Sequence, residues 1–222
     1  DRDPEAIAEA AADFPLITGG SGIALGLPAN FRKQGLIGEG ESAAALPVMR
    51  GPAAVISGSC STATNAQLAN MTQRAPVFMI DPLAAAAGRD IAAEALAWAA
   101  PLLGERPVGI AATAPPETVA AVQQQLGRER AGALVEDILA TIAQGLVERG
   151  VRRLVVAGGE TAGAVVKALG VTGLRIGGQI DPGVPWTVSL GEPPLALALK
   201  SGNFGAPDFF LRAFEMLDGG AR

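Results

Sequence analysis

The 222-residue chain has no histidine and no tyrosine, a single cysteine, and only 4% aromatic and 18% charged residues. Without imidazole, the usual general base and the commonest metal ligand, a Ser-His-Asp triad, an HExxH zinc site and a His-ligated haem are all excluded. Cys60 alone cannot form an internal disulfide or build a Cys-rich metal site, which fits a reducing cytoplasm. The net charge of -5 has the wrong sign for a protein that grips nucleic-acid phosphates, so a nucleic-acid partner is not expected. Nor is a membrane: the longest apolar run, 83–103, is broken by Arg89, Asp90 and Glu94. No basic stretch followed by an apolar one opens the chain, which argues against a signal peptide, and the missing initiator Met suggests a trimmed protein or an excised fragment.

What is abundant is aliphatic: 49% of the residues are hydrophobic, so Ala, Val, Leu and Ile must fill the core. Short apolar runs alternate with Ala-rich helical stretches, the mark of an α/β fold with a mostly parallel, Rossmann-like sheet and helices on both faces. Strands are predicted at 15–18, 53–57, 77–80, 108–112, 153–157, 174–179, 187–190 and 195–199. The last three lie too close together for helices between them and predict a partly antiparallel C-terminal end. Helices are predicted at 61–72, 82–99, 115–126, 134–149, 161–169 and 207–217, several opening on Pro, Ser or Thr. Gly35, Gly38, Gly40, Pro47 and Gly51-Pro52 make 34–52 the most loop-like stretch, so a boundary is placed there. It leaves residues 1–45 as a small strand-and-helix piece and 53–222 as the main domain. Arg32-Lys33 and Arg152-Arg153 read as solvated element ends.

Four places share one grammar, an apolar strand running into Gly with Ser or Thr before a helix: Thr18-Gly19-Gly20-Ser21-Gly22, Ser57-Gly58-Ser59-Cys60-Ser61, Ala157-Gly158-Gly159-Glu160-Thr161 and Ser201-Gly202-Asn203-Phe204-Gly205. In a parallel sheet such loops open on one edge, where ligands bind. Each offers what an anion needs: close backbone approach at Gly, unpaired helix N-terminal amides and hydroxyl donors. Phosphate is the natural guest, although neither a Walker A loop nor GxGxxG is present, and each Gly alone can also simply turn the chain. Gly158, Gly159 and the Thr161 amide can cradle a phosphate, with Thr161 as helix cap. Glu160 can hold a Mg²⁺-bound water or merely complement the helix N-terminus. Ser59 or Ser61 can donate to phosphate or ribose, and Ser61 is equally an N-cap. Cys60, with no His base and small neighbours, is read as a buried packing thiol rather than a nucleophile. Lys200 can lend charge to a transferring phosphoryl group, or sit exposed at a strand end. Asp181 reads as an Asx-turn residue before a metal ligand, and Trp186 as a core anchor before an adenine stacker.

In this order, the stretches Phe14-Pro15-Leu16-Ile17-Thr18-Gly19-Gly20-Ser21-Gly22, Leu27-Pro28-Ala29-Asn30-Phe31, Ser57-Gly58-Ser59-Cys60-Ser61, Gly158-Gly159-Glu160-Thr161, Pro182-Gly183-Val184-Pro185-Trp186 and Leu199-Lys200-Ser201-Gly202-Asn203-Phe204-Gly205 resemble the C-terminal half of the four-carbon acid sugar kinases, ATP-dependent kinases of threonate, erythronate and 3-oxo-tetronate type. The resemblance implies a nucleotide-binding domain at 53–222 and, at 1–45, the tail of a substrate-binding domain with its linker. It assigns ATP or ADP to Ser57, Gly58, Ser59, Gly158, Gly159, Glu160, Thr161, Ser201, Gly202 and Asn203, with Mg²⁺ as companion ion and no metal ligand named. Thr18, Gly19, Gly20 and Ser21 are assigned to face the substrate. The four-carbon sugar acid and the catalytic base are expected on an N-terminal domain not in this sequence, so that the 222 residues alone bind nucleotide without turnover. The remaining readings are an inert nucleotide-binding module and a sugar-phosphate-binding α/β module. The apolar composition also admits a homodimer.

Overall fold

The computed structural model describes residues 3–38 and 44–219. It divides into two compact units, Asp1–Ala43 and Ala44–Arg222. The first holds helices α1 (Asp3–Ala10) and α2 (Leu27–Lys33) with a 3-10 turn at Ser21–Leu25. Asn30 Nδ2 donates to Ala8 O (2.6 Å), and Lys33 pairs with Glu9. The strand predicted at 15–18 is absent: its backbone is irregular, with Phe14 and Leu16 exposed. Among the described residues of this unit there is no second strand, and a lone strand has nothing to pair with.

The second unit carries β1 (Ala53–Ser57), α3 (Thr62–Thr72), β2 (Val77–Met79), α4 (Pro82–Ala86), α5 (Ile91–Ala99), β3 (Val108–Ala111), α6 (Pro116–Leu126), α7 (Arg128–Glu148), β4 (Arg153–Ala157), α8 (Gly159–Ala168), β5 (Leu174–Asp181), β6 (Val184–Ser189), β7 (Ala196–Lys200) and α9 (Phe209–Gly219). The strands form one seven-stranded sheet in the order β2-β3-β1-β4-β7-β6-β5. Pairing is parallel from β2 to β7 and antiparallel from β7 through β6 to β5, so the α/β class and the antiparallel end are as the sequence predicts. The single helix predicted at 82–99 is two helices. Gly88 turns left-handed (φ 96°), and Asp90 starts α5 by accepting from the Ala93 amide (3.0 Å). The helix predicted from 134 already begins at Arg128, directly after Gly127.

The two sheet faces are packed in opposite ways. On one, small strand residues (Ala53, Ala157, Ala196, Ala198) receive Phe209, Phe210 and Phe214 of α9. On the other, large strand residues (Ile56, Ile110, Leu154, Leu197) meet the alanines of α5 and α7. Ala-rich helices can thus approach closely on the second face, and the few aromatics are concentrated on the first. Trp186 is the anchor its position predicts: it is buried beside Phe214 and donates its indole N–H to Ala213 O (2.8 Å).

Candidate functional site

The strand register aligns Ser57 with Ala111 on one side and Ala157 on the other, and Ala157 with Lys200. The carboxyl ends of β3, β1, β4 and β7 therefore form one row, from which the loops at 58–61, 112–115, 158–161 and 201–205 depart. Between β1 and β4 the chain changes direction: α3 packs in the core of one face and α8 in that of the other. That crevice is where open α/β sheets place their ligands.

Gly58 and Ser59 both donate their amides to Ala157 O (3.0 and 3.2 Å), and Gly158 donates to Lys200 O (2.8 Å), so three loops are tied edge to edge. The closeness requires glycine. A Cβ on Gly58 would overlap Thr161 Oγ1, and one on Gly158, whose φ is 123°, would stand 2.8 Å from the same oxygen. Helix α8 starts at Gly159 with Gly158 as its cap residue and no side-chain cap, so the amides of Gly159, Glu160 and Thr161 lack intrahelical partners. Thr161, predicted to cap this helix, is instead its third residue and is buried.

The loop after β7 is fastened from below. Lys200, predicted exposed or aimed at a phosphate, is only 1% exposed and donates to Ser201 O (2.9 Å), Gly202 O (2.9 Å) and Thr64 Oγ1 (3.0 Å). Burial pulls its pKa from 10.5 down to about 8. Gly202 O also lies within hydrogen-bond reach of Ser61 Oγ (2.5 Å) and Thr64 Oγ1 (2.8 Å). Gln67 Nε2 reaches the carbonyls of Phe204, Gly205 and Ala206. Asp181 makes no Asx turn: its carboxylate accepts from the Ala206 amide (2.8 Å) and pairs with Arg212. Although burial pushes its carboxyl upward, these two partners hold it below the usual range. Arg152 and Arg153 are likewise engaged, the former on Val147 O and Val151 O, the latter on Gly51 O and Asp218.

These loops close one end of a cavity of about 660 Å³. Of the residues assigned to nucleotide, Gly58, Ser59, Gly158, Gly159, Glu160, Thr161 and Gly202 line it. Ser57 does not: it is fully buried against Thr113 Oγ1 (2.6 Å), and Thr113 in turn donates to Ser59 O (2.8 Å), so the pair supports the loop from behind. Ser201 and Asn203 are exposed beyond the lining. Cys60 is partly exposed in the cavity wall rather than buried. Thr18, Gly19 and Gly20 belong to the first unit, where Gly19 and Gly20 precede the 3-10 turn that begins at Ser21. Ser59 Oγ accepts from the Ser61 amide (3.3 Å) and stands 3.2 Å from Thr64 Oγ1, whose single proton also reaches Gly202 O at 2.8 Å, while Ser59 Oγ donates no hydrogen bond among the described residues. That hydroxyl is a spare donor in the wall of the cavity. Away from these loops the cavity forms a mostly apolar slot lined by Met79, Pro82, Val119, Val122 and Val135, with Thr118 and Gln123 on α6 and Glu136 on α7. Burial, then Glu160 and Asp137, raise the Glu136 pKa.

The pattern of the nucleotide-binding C-terminal domain family matches residues 54–210. The chain belongs to this family. The resemblance drawn from the glycine loops is thus borne out, and the matched nucleotide-binding domain contains the whole cavity. Over 99% of its length the chain is 60% identical to a Cupriavidus necator protein named 3-oxo-tetronate kinase, of which it covers 50%. Among solved structures, one of a Salmonella typhimurium protein described as a putative tRNA synthase matches 96% of the chain with TM-score 0.82 and 42% identity. A Haemophilus influenzae protein matches 98% with TM-score 0.81 and 40% identity. The chain spans about half the length of these relatives, 50% and 52% of the two solved chains.

Sequence reading missed the slot walls, Thr113 and Glu136. Thr113 had a signal, since Ala112-Thr113-Ala114-Pro115 leaves β3 by the same strand-to-loop grammar without a glycine. The slot had none, because the end of β2, α6 and α7 come to one cavity only in three dimensions.

Proposed function

We propose that this nucleotide-binding domain is the ATP-binding part of a kinase that phosphorylates a terminal hydroxyl of a four-carbon acid sugar. The observation that carries the reading is the uncapped start of α8 facing a cavity whose other end is apolar, on a chain related to proteins named 3-oxo-tetronate kinase. The free amides of Gly159, Glu160 and Thr161 and the spare Ser59 proton receive the phosphates of ATP or ADP. The helix N-terminus adds its partial positive charge. The apolar slot takes the base.

Mg²⁺ fits only as an ion brought in by the phosphates. Among the described residues no three acidic or thiol groups cluster to hold a metal. Glu160, in the first turn of α8, is a single carboxylate beside the phosphate amides, in keeping with the habit of Mg²⁺ to retain waters and phosphate oxygens. Bound there, it would neutralise charge on the transferring phosphoryl group.

In this reading residues 1–45 are the tail and linker of a substrate domain, a role that suits the exposed Phe14, Leu16 and Leu36. The sugar acid and catalytic base belong to the longer protein, with Thr18, Gly19, Gly20 and Ser21 on the substrate side. The consumption of ATP in this reading supports a cytoplasmic location. No helix among the described residues is long and apolar enough to cross a membrane. The homodimer is kept as a proposal carried by the exposed Ile176 on edge strand β5, and sedimentation of the chain decides it.

Calorimetric titration of ATP and ADP with Mg²⁺ into the 222 residues tests the nucleotide half: saturable binding, lost in Gly58→Val, is expected. Kinase activity on a four-carbon sugar acid is expected of the full-length protein and not of this chain alone. Turnover by the isolated chain would refute the division of labour. Restored activity on mixing with a separately made N-terminal half would exclude an inert module.

A further inference from the structure

We propose that Glu136 reads the ribose of the bound nucleotide through its carboxylate, so that the cavity takes ribonucleotides in preference to their 2′-deoxy counterparts; this rests on the nucleotide reading above. Helix α7 serves as a ruler along the cavity. At one point it passes under the first phosphate loop, where Leu139 Cδ1 lies 3.0 Å from the place a Cβ on Gly58 would occupy. Glu136, three residues earlier and therefore roughly 4.5 Å further along the axis, lines the cavity. Gly132, roughly 10 Å from Leu139 on the same helical face, lines it too. The order Leu139, Glu136, Gly132 matches the order phosphate, sugar, base along a nucleotide. The lining from β2, α6 and α7 also includes Met79, Val119, Val122 and Val135 with the uncharged Thr118 and Gln123, so Glu136 is the carboxylate this part of the wall offers a sugar.

Charge decides which part of the ligand faces this carboxylate. An ionised Glu is an acceptor only, with two oxygens, and is repelled by phosphate. It is useful in an anion-binding cavity only toward neutral donors, and the vicinal hydroxyls of ribose present two of them. The carboxyl group has no hydrogen-bond or ion-pair partner among the described residues, and its half-buried setting and neighbouring Glu160 raise its pKa. A carboxylate held without a partner in a half-buried wall is stabilised by the arrival of hydroxyl donors. Glu160, by contrast, sits in the first turn of α8, where the helix N-terminus offsets its charge and a Mg²⁺ carried by the phosphates would bridge it to them.

The test is calorimetric titration of ATP, 2′-deoxy-ATP and ITP into the 222-residue chain and into Glu136→Gln and Glu136→Ala, with the melting curve of each variant recorded to show that it is folded. ATP is expected to bind the unaltered chain about tenfold more tightly than 2′-deoxy-ATP, the size of one hydrogen bond to a charged group. The gap should narrow in Glu136→Gln and close in Glu136→Ala, while ITP follows ATP throughout. Equal affinity for ATP and 2′-deoxy-ATP in the unaltered chain would overturn the proposal. So would a gap that persists in Glu136→Ala, or discrimination against ITP that vanishes with Glu136, which would move the carboxylate to the base. Absence of binding by all three nucleotides would overturn the nucleotide reading itself, and the proposal with it.

Discussion

Helices α3 and α8 leave adjacent central strands, β1 and β4, from the same row of the sheet and pack on opposite faces, yet their N-termini are finished differently. At α3, Ser61 accepts from the Thr64 amide (3.2 Å), and both side chains reach across to Gly202 O, joined there by Lys200. At α8, Gly158 brings no side chain, and the first three amides of the helix have no partner among the described residues. The two loops have the same composition of Gly with Ser or Thr, but one binds its neighbour and the other is open to a ligand. Hydroxyls close a helix start, and glycine leaves it open. The closed end also sets the shape of the open one, because it fixes Ser59 and the 201–206 loop against the Gly58–Gly158 seam.

The open start of α8 is most vulnerable at the tight Gly58 contact behind it. Gly58→Val drives carbon into Thr161 and Leu139, and should abolish nucleotide binding and lower Tm by roughly 5 °C, the consequence of about 2 kcal/mol of overpacking. Ser59→Ala removes the donor offered to the ligand together with two long, part-buried bonds that Ser59 Oγ accepts: ATP affinity should fall about tenfold, with a fall in Tm smaller than that of Gly58→Val. Ser61→Ala should do the opposite, costing about 1 kcal/mol in chemical denaturation through the lost cap, with a smaller effect on ATP.

Lys200 makes the stability depend on pH. Its folded pKa of about 8 lies below the ordinary 10.5, so between these values the unfolded chain binds more protons than the folded one. Stability contributed at this site should therefore rise with pH across that window and be lowest below pH 8. Lys200→Met should flatten that rise in urea-denaturation series at stepped pH. A rise of the same size in the variant would assign it to another group.

Much of the fold could be read from the chain because its central strands are buried on both faces. Ala53–Ser57 and Arg153–Ala157 are short continuous apolar runs bounded by glycine loops, and their limits follow from composition. The failures have a common cause, the need for a partner. Residues 15–18 are apolar enough for a strand but have none beside them, and 82–99 reads as one helix until the left-handed Gly88 and the Asp90 cap divide it. In the site, glycine loops announce themselves locally, so Gly58, Gly158, Gly159 and Gly202 were visible. The fate of a polar group beside them was not. Whether Ser57 or Lys200 faces ligand or protein depends on Thr113, 56 residues along the chain from Ser57, and on Thr64, 136 residues from Lys200. The apolar slot, made by helices with no marked residues, was out of reach for the same reason.

The difference between the two helix starts is best measured on the amides themselves. In a ¹⁵N–¹H correlation spectrum of the labelled chain titrated with Mg-ATP, the largest shifts should fall on Gly159, Glu160 and Thr161, saturating together, while Thr62 and Ala63 at the start of α3 move little. Shifts centred on Thr62 and Ala63, with α8 unmoved, would place the phosphate on the wrong helix and contradict the account.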